Sequence, residues 1–407
     1  MTGRGAQASR YITLHYLITN LGYFGVLSTL VVSLNAAGFQ ADRIAVLVVT
    51  FTITSKVAKI PLAPWLDRIS APTSVLLGCA VAGMGFVCLW LVSGFGLTAG
   101  ALCLAGVGIS INNLASKQLG AAASDLTGQR AQLFSMINVG VNIASAVAAP
   151  LALFFANRAE DGVVLVGVGC CYLLAGLLTY VNFARLNLHR HTSPVSSWHA
   201  YTEVLRLRGM LPFLIINFFG WFLYGQLFNV LALHVTKTLN AAQLLGWLYT
   251  LNALLIVVAQ LTVSRAAGRL GGGRPAHTML FGYLTWALAF LVAFGVPGRT
   301  GVIAFTIVFT LAEMLFVPSV DVLLLDLIGG RNRAVGYSIL SISTALGEAS
   351  GGGSGVATYR WLAERGAGRD FWLFAVVLAL VAGASSFWLR DRMVAAPGRL
   401  DEVPVAQ

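Results

Sequence analysis

The sequence predicts an all-α integral membrane protein. Twelve transmembrane helices form two pseudo-symmetric six-helix bundles, with the N- and C-termini in the cytoplasm. Three observations carry that reading. Hydrophobic types make up 57% of the 407 residues and charged types only 10%, with a mean hydropathy of +0.81; soluble domains carry about 25% charged residues. Twelve apolar runs are each long enough to cross a bilayer, which takes about 20 residues. The chain also resembles itself at an offset of about half its length.

The first six runs fall at about 11–34, 44–66, 73–93, 97–118, 131–155 and 163–186. Six more fall at about 210–234, 243–264, 277–296, 301–326, 334–357 and 371–390. Residues 1–186 are therefore an N-terminal bundle and 210–390 a C-terminal bundle. A polar, basic linker occupies 187–209, and 391–407 is a polar tail. Ten mostly polar residues precede the first run, which is too long for a signal h-region and reads as a first span.

Charge supplies the orientation. With the N-terminus inside, seventeen Lys and Arg fall in cytoplasmic segments and seven in outer loops. Such a bias places both termini in the cytoplasm. The net charge of +11 thus reads as topology, and no nucleic-acid partner is expected. The five cysteines lie in apolar stretches without metal-ligand spacing, so they read as packing residues. No cofactor, metal site or catalytic residue is expected.

The repeat rests on three matches in the same order. Tyr16-Leu17-Ile18-Thr19-Asn20 reads like Phe213-Leu214-Ile215-Ile216-Asn217. Asp67-Arg68-Ile69-Ser70 falls opposite Gly268-Arg269-Leu270-Gly271, and Arg130-Ala131 with Phe134-Ser135 falls opposite Arg333-Ala334 with Tyr337-Ser338. A doubled helical bundle with sites near the midplane between repeats is transporter architecture.

On these residues the chain resembles the major facilitator superfamily over nearly its whole length. The marker between spans 2 and 3 is Ala63-Pro64-Trp65-Leu66-Asp67-Arg68. Asp67 and Arg68 match the family loop and would gate; Ala63 and Ser70 replace its glycines, and the basic residues after Ser70 are missing. In span 5, Gly140, Ser145, Ala149 and Pro150 form a degraded version of the glycine-rich run of exporters. In span 10, Ala312-Glu313 and Pro318 look like a stretch of the drug and metabolite:proton antiporter branch. The resemblance implies that spans 1, 4, 7 and 10 line a central cavity, so that Glu313 and its repeat mate Asn112 face each other across it.

Ionisable groups inside spans are costly and need a partner, a wet cavity or a neutral form. Glu313 lies about 18 Å into span 10, near the midplane, and is the expected proton-coupling residue, with Asp321 as the second acid. An angular offset of about 80° separates them, so both cannot point at the cavity centre. Asp321 is equally readable as the partner of a cytoplasmic-side Arg. Lys56 of span 2 and Glu348 of span 11 are expected to pair across the halves; Lys56 snorkelling to the surface is the alternative. Lys117 reads as an anchor, with a role toward an anionic substrate as the alternative, and His15 as an interfacial polar residue. Substrate contacts are expected from Asn20, Tyr23, Asn112, Asn113, Asn138, Asn142, Asn217, Trp221 and Tyr224, each of which also suits helix-packing hydrogen bonds.

The expected function is secondary transport by alternating access, as proton-coupled export of a small amphiphilic organic molecule. No P-loop motif is present in the sequence. The expected partners are a small-molecule substrate, protons and membrane lipid, and the expected setting is a monomer in a bacterial inner membrane. The rival readings are an uptake symporter or uniporter, a flippase for a lipid-linked substrate, and a polytopic lipid-modifying enzyme.

Overall fold

The computed structural model describes residues 3–156, 162–184, 198–330 and 332–388. Residues 187–197 of the expected linker and all of the 391–407 tail lie outside the described residues. Twelve long helices run in the order α1 (Gly3–Ala36), α2 (Ala41–Leu66), α3 (Ala71–Leu91), α4 (Phe95–Thr127), α5 (Arg130–Ala156) and α6 (Gly162–Ala184). Then come α7 (Met210–Thr238), α8 (Leu244–Leu270), α9 (Pro275–Gly295), α10 (Gly298–Ile328), α11 (Arg333–Ala363) and α12 (Asp370–Trp388). A short linker helix, His199–Arg206, precedes α7.

Eleven of the twelve are apolar enough to cross a membrane by composition alone. The exception is α11, and its packing explains why. Gly347, Gly351 and Gly355 are buried in a stripe against Phe218, Phe222 and Gln226 of α7. Small residues let two helices approach closely, and they lower hydropathy without exposing the helix. Gly140 does the same where α5 crosses α1: a Cβ there would lie 3.2 Å from the Thr13 carbonyl. Of the small-residue stretch in α5, Gly140 thus marks the close crossing with α1.

Several helices outrun their apolar runs. The fourth run ends near 118, yet α4 continues to Thr127. Leu119, Ala121, Ala123 and Ser124 of that extension are buried. Tertiary contacts hold these turns where hydropathy gives no signal.

Prolines shape two helices and free carbonyls for use elsewhere. A proline inside a helix leaves the carbonyl four residues earlier without its usual donor. Pro64 releases Ile60, whose carbonyl accepts the Tyr201 hydroxyl of the linker helix at 2.6 Å. Pro318 releases Met314, whose carbonyl accepts Gln260 Nε2 of α8 at 2.9 Å.

Candidate functional site

A cavity of about 330 Å³ lies between the two halves. The N-terminal half lines it with Thr19, Asn20 and Tyr23 of α1, Ser55, Lys56 and Lys59 of α2, Ile109, Asn113 and Lys117 of α4, and Tyr172. Facing them are Trp221 of α7, Val317, Val320 and Asp321 of α10, and a row along α11 from Tyr337 to Glu348. Ile109, Asn113 and Lys117 recur every four residues, which keeps them on one helix face. α2 and α11 thus contribute more of the wall than the resemblance implies, and α7 contributes a single side chain.

Two ion pairs cross this cavity. Lys56 Nζ lies 3.6 Å from Glu348, with both side chains partly exposed. Lys117 Nζ donates to both oxygens of Asp321, at 2.8 and 2.6 Å. The Asp321 side chain is only 8% exposed, whereas that of Lys117 is 35% exposed. Lys117 also sits over the Phe134 and Tyr337 rings. Its expected place as an anchor near the membrane surface is corrected: it is the counter-ion of the better buried cavity acid.

Glu313 does not line the cavity, contrary to the expectation. The offset between the two acids holds, but Asp321 is the one turned inward. Glu313 is 3% exposed and lies within the C-terminal half. Asn252 Nδ2 of α8 donates to its Oε2 at 2.9 Å, and Tyr224 of α7 stands beside it. Tyr224 in turn packs edge-on against Trp221, with centroids 4.8 Å apart. One layer of aromatic side chains therefore separates Glu313 from the cavity.

Its repeat mate Asn112 is enclosed in the same way. It sits one residue, or about 100°, off the α4 cavity face and is 2% exposed. Its Oδ1 lies 3.0 Å from His15 Nε2 and accepts from Cys79 Sγ at 3.2 Å. His15 also meets Ser116 and Thr179, at 2.8 and 2.9 Å, and is 1% exposed. His15 is thus an interior residue with three polar partners rather than an interfacial one. Asn112 and Glu313 do not face each other; each is held within its own half.

Of the other expected contacts, Asn20, Tyr23, Asn113 and Trp221 line the cavity. Asn217 does not line it but accepts from Trp221 Nε1 at 3.1 Å and donates to Ser343 at 2.9 Å, which orients the indole. Asn138 also lies off the cavity: it donates to Gln260 Oε1 at 2.9 Å and joins α5 to α8. Asn142 folds back onto the Asn138 carbonyl. Tyr224 stands behind Trp221.

Toward the end of the bundle that carries the N-terminus, the halves are tied together. Asp67, 8% exposed, accepts from Gln118 Nε2 at 2.8 Å, from the Ala334 amide at 2.9 Å and from the Val335 amide at 3.3 Å. Those amides belong to the first turn of α11, where N–H groups lack intrahelical partners. The residue before that turn, Asn332, makes no side-chain cap. Asp67 of one half therefore caps a helix of the other. Burial pushes its carboxyl up to about 6, and its three donors and Arg333 oppose that shift. Arg68 is exposed beside it.

An ion-pair chain lies alongside. Arg130 meets Asp326 at 2.6 Å and Asp125 at 3.1 Å, and Arg333 meets Asp125 at 2.5 Å. The repeat explains this pattern. Arg130 and Arg333 are mates, and so are Asp125 and Asp326. α4 and α10 each end on a left-handed glycine, Gly128 and Gly329. The same turn thus brings each half's arginine onto the other half's aspartate, as two-fold pairing requires. Tyr201 adds a further tie, with its hydroxyl 3.2 Å from Ser338 Oγ of α11.

Sequence comparison decides the family. The family model of the Major Facilitator Superfamily matches residues 12–241 and again 210–404. The chain belongs to this superfamily. It is accordingly a transporter and not an enzyme, and it is a multi-pass membrane protein. No curated protein matches it in sequence. Among solved structures, it is similar to the human organic anion transporter MFSD10 (TETRAN), with a TM-score of 0.74 at 15% identity over 94% of this chain and 99% of that one. A variant of the E. coli fucose:proton symporter FucP gives 0.70 at 11% identity over 94% and 98%. A further FucP structure, described as being in the outward conformation, gives 0.70 at 12% over 95% and 98%. At these identities the likeness is one of fold.

Proposed function

We propose that this superfamily member is a proton-coupled exporter of small amphiphilic organic molecules, acting as a monomer in a bacterial inner membrane. The observation that carries the reading is the cavity itself. It lies between the halves, with polar anchors at Asn20 and Asn113 and aromatic walls at Tyr23 and Trp221, a composition that suits an amphiphilic ligand. The cross-half ties lie toward one end, as alternating access by rocking halves requires. Asp67, with Arg68 beside it, the Arg130–Asp326 and Arg333–Asp125 pairs, and Lys56–Glu348 form the gate.

Proton coupling falls to Glu313 and Asp321. Asp321 is reached from the cavity directly, and Lys117 neutralises it. Glu313 is reached past Trp221 through the Tyr224 hydroxyl. Substrate-triggered proton flux in proteoliposomes tests the whole reading: export by exchange moves protons opposite to substrate.

Uptake symport is the second reading. The structural neighbour FucP is titled a fucose:proton symporter, and the same two acids serve either direction. Protons moving together with substrate would establish it and remove export.

A further inference from the structure

The charges around the cavity do not balance. Three lysines line it, Lys56, Lys59 and Lys117, against two acids, Asp321 and Glu348. Both acids are already engaged, Asp321 by Lys117 and Glu348 by Lys56. Lys59 has no ion-pair or hydrogen-bond partner among the described residues. An uncompensated ammonium inside a membrane protein is costly, and a net positive cavity lowers that cost by taking an anion. A cationic ligand would meet the opposite situation, since each acid would first have to give up its lysine.

A second observation points the same way. Tyr337 lines the same cavity and is 2% exposed, and its hydroxyl has no hydrogen-bond partner among the described residues. A buried donor left unmade costs free energy. An anionic group supplies acceptor oxygens of the kind that this hydroxyl and the Lys59 ammonium both lack. Trp221 and Tyr23 supply flat apolar surface in a space of about 330 Å³, near the lower end of ligand-pocket sizes.

We propose that the cavity binds small aromatic organic anions, with Lys59 as the charge anchor and Tyr337 as the second donor. This rests on the transport reading and deepens it by naming the ligand's charge class.

The test uses the full-length protein in nanodiscs and three probes of one shape: naphthoate, naphthamide and naphthylmethylamine. Equilibrium binding should rank naphthoate first, by about tenfold over the amide, as expected for one charge-assisted contact. K59Q should erase that margin and leave amide affinity unchanged, and K59R should keep the margin. The wild-type ranking stands on its own if a variant fails to fold. Amide or amine ranking first, or an undiminished margin in K59Q, overturns the anion assignment. Counterflow of the same probes in proteoliposomes separates the two readings. Movement of the neutral or cationic probe in preference to naphthoate leaves transport standing and removes only the anion. Neither binding nor movement of any probe overturns both.

Discussion

Asp67 in the N-terminal half accepts the Ala334 amide of the C-terminal half at 2.9 Å, so one half's loop caps the other half's helix. A capping interaction contributes about 0.5–2 kcal/mol, enough to bias a conformational equilibrium without freezing it. Asp67→Ala should therefore open the N-terminal side of the bundle, raising the open-to-closed ratio by about tenfold. Distances between spin labels on the linker helix and the α8–α9 loop report the ratio. An unchanged distribution would detach Asp67 from the gate.

The same residue makes the gate pH-dependent. In the closed state burial raises its carboxyl from the ordinary 3.8 to about 6. Opening exposes the loop to water and returns the carboxyl toward 3.8. The closed state therefore binds the proton more tightly, so closure strengthens as pH falls through about 6 and gains nothing further below about 4. Asp67→Asn should flatten this part of the profile in the same distance measurement. Closure that weakens on acidification across this window, and stops doing so in Asp67→Asn, would reverse the sign and the account.

The crossed pair of Arg130 with Asp326 is partly solvated on both sides. Such pairs contribute up to about 1 kcal/mol each. Asp326→Asn should shift the ratio toward the open form by about fivefold at most. Exchanging the charges as Arg130→Asp with Asp326→Arg should recover part of the loss. A swap no better than its single changes would show that the pair does not act as a unit.

The spans, the duplication and the six-plus-six division follow from apolar length and repeat offset. The absolute phase of a helix packed on several sides and apolar on the rest does not. α10 packs against α8, α9 and α5, so it has no polar stripe to show which face meets water. Helical geometry gives the angle between Glu313 and Asp321 but not which acid faces the cavity. Lys117 reads as a surface anchor because it lies near the end of an apolar run, while α4 continues beyond that run. The crossed Arg–Asp pairs were implicit in the repeat: mates at Arg130 and Arg333, and at Asp125 and Asp326, become cross-half pairs once the halves face each other. Tyr201 and Gln260 meet backbone carbonyls, so no side-chain pattern marks them. The signal is Pro64 and Pro318, each four residues beyond the carbonyl it frees.

If Lys56 and Glu348 formed a buried pair, removing one partner would cost about 3–5 kcal/mol. The structure lowers that figure. At 3.6 Å, with side chains 47% and 35% exposed, the pair belongs with solvated ones worth about 1 kcal/mol or less. Lys56→Met and Glu348→Gln should each shift the state ratio by a few-fold, and the double change should shift it by less than their product. Strict additivity would show that the contact carries no coupling.

Glu313 is the sharpest test of the coupling scheme, because its surroundings separate binding from titration. It lies behind Trp221, hydrogen bonded to Asn252 and beside Tyr224, and no cation pairs with it among the described residues. A charged carboxylate enclosed this way is costly, whereas a neutral carboxyl or amide is not. Glu313→Gln keeps an acceptor for Asn252 and should leave the fold and the cavity wall intact. Substrate binding and downhill exchange should persist. Accumulation against a gradient should fall to the downhill level, because the proton-carrying state is gone. Tyr224→Phe should slow proton flux with less effect on binding, since it removes the hydroxyl between cavity and carboxyl. Proton-driven accumulation at the unmodified level in Glu313→Gln would remove Glu313 from the mechanism. It would leave the Asp321–Lys117 pair, already open to the cavity, as the site where protons and substrate exchange.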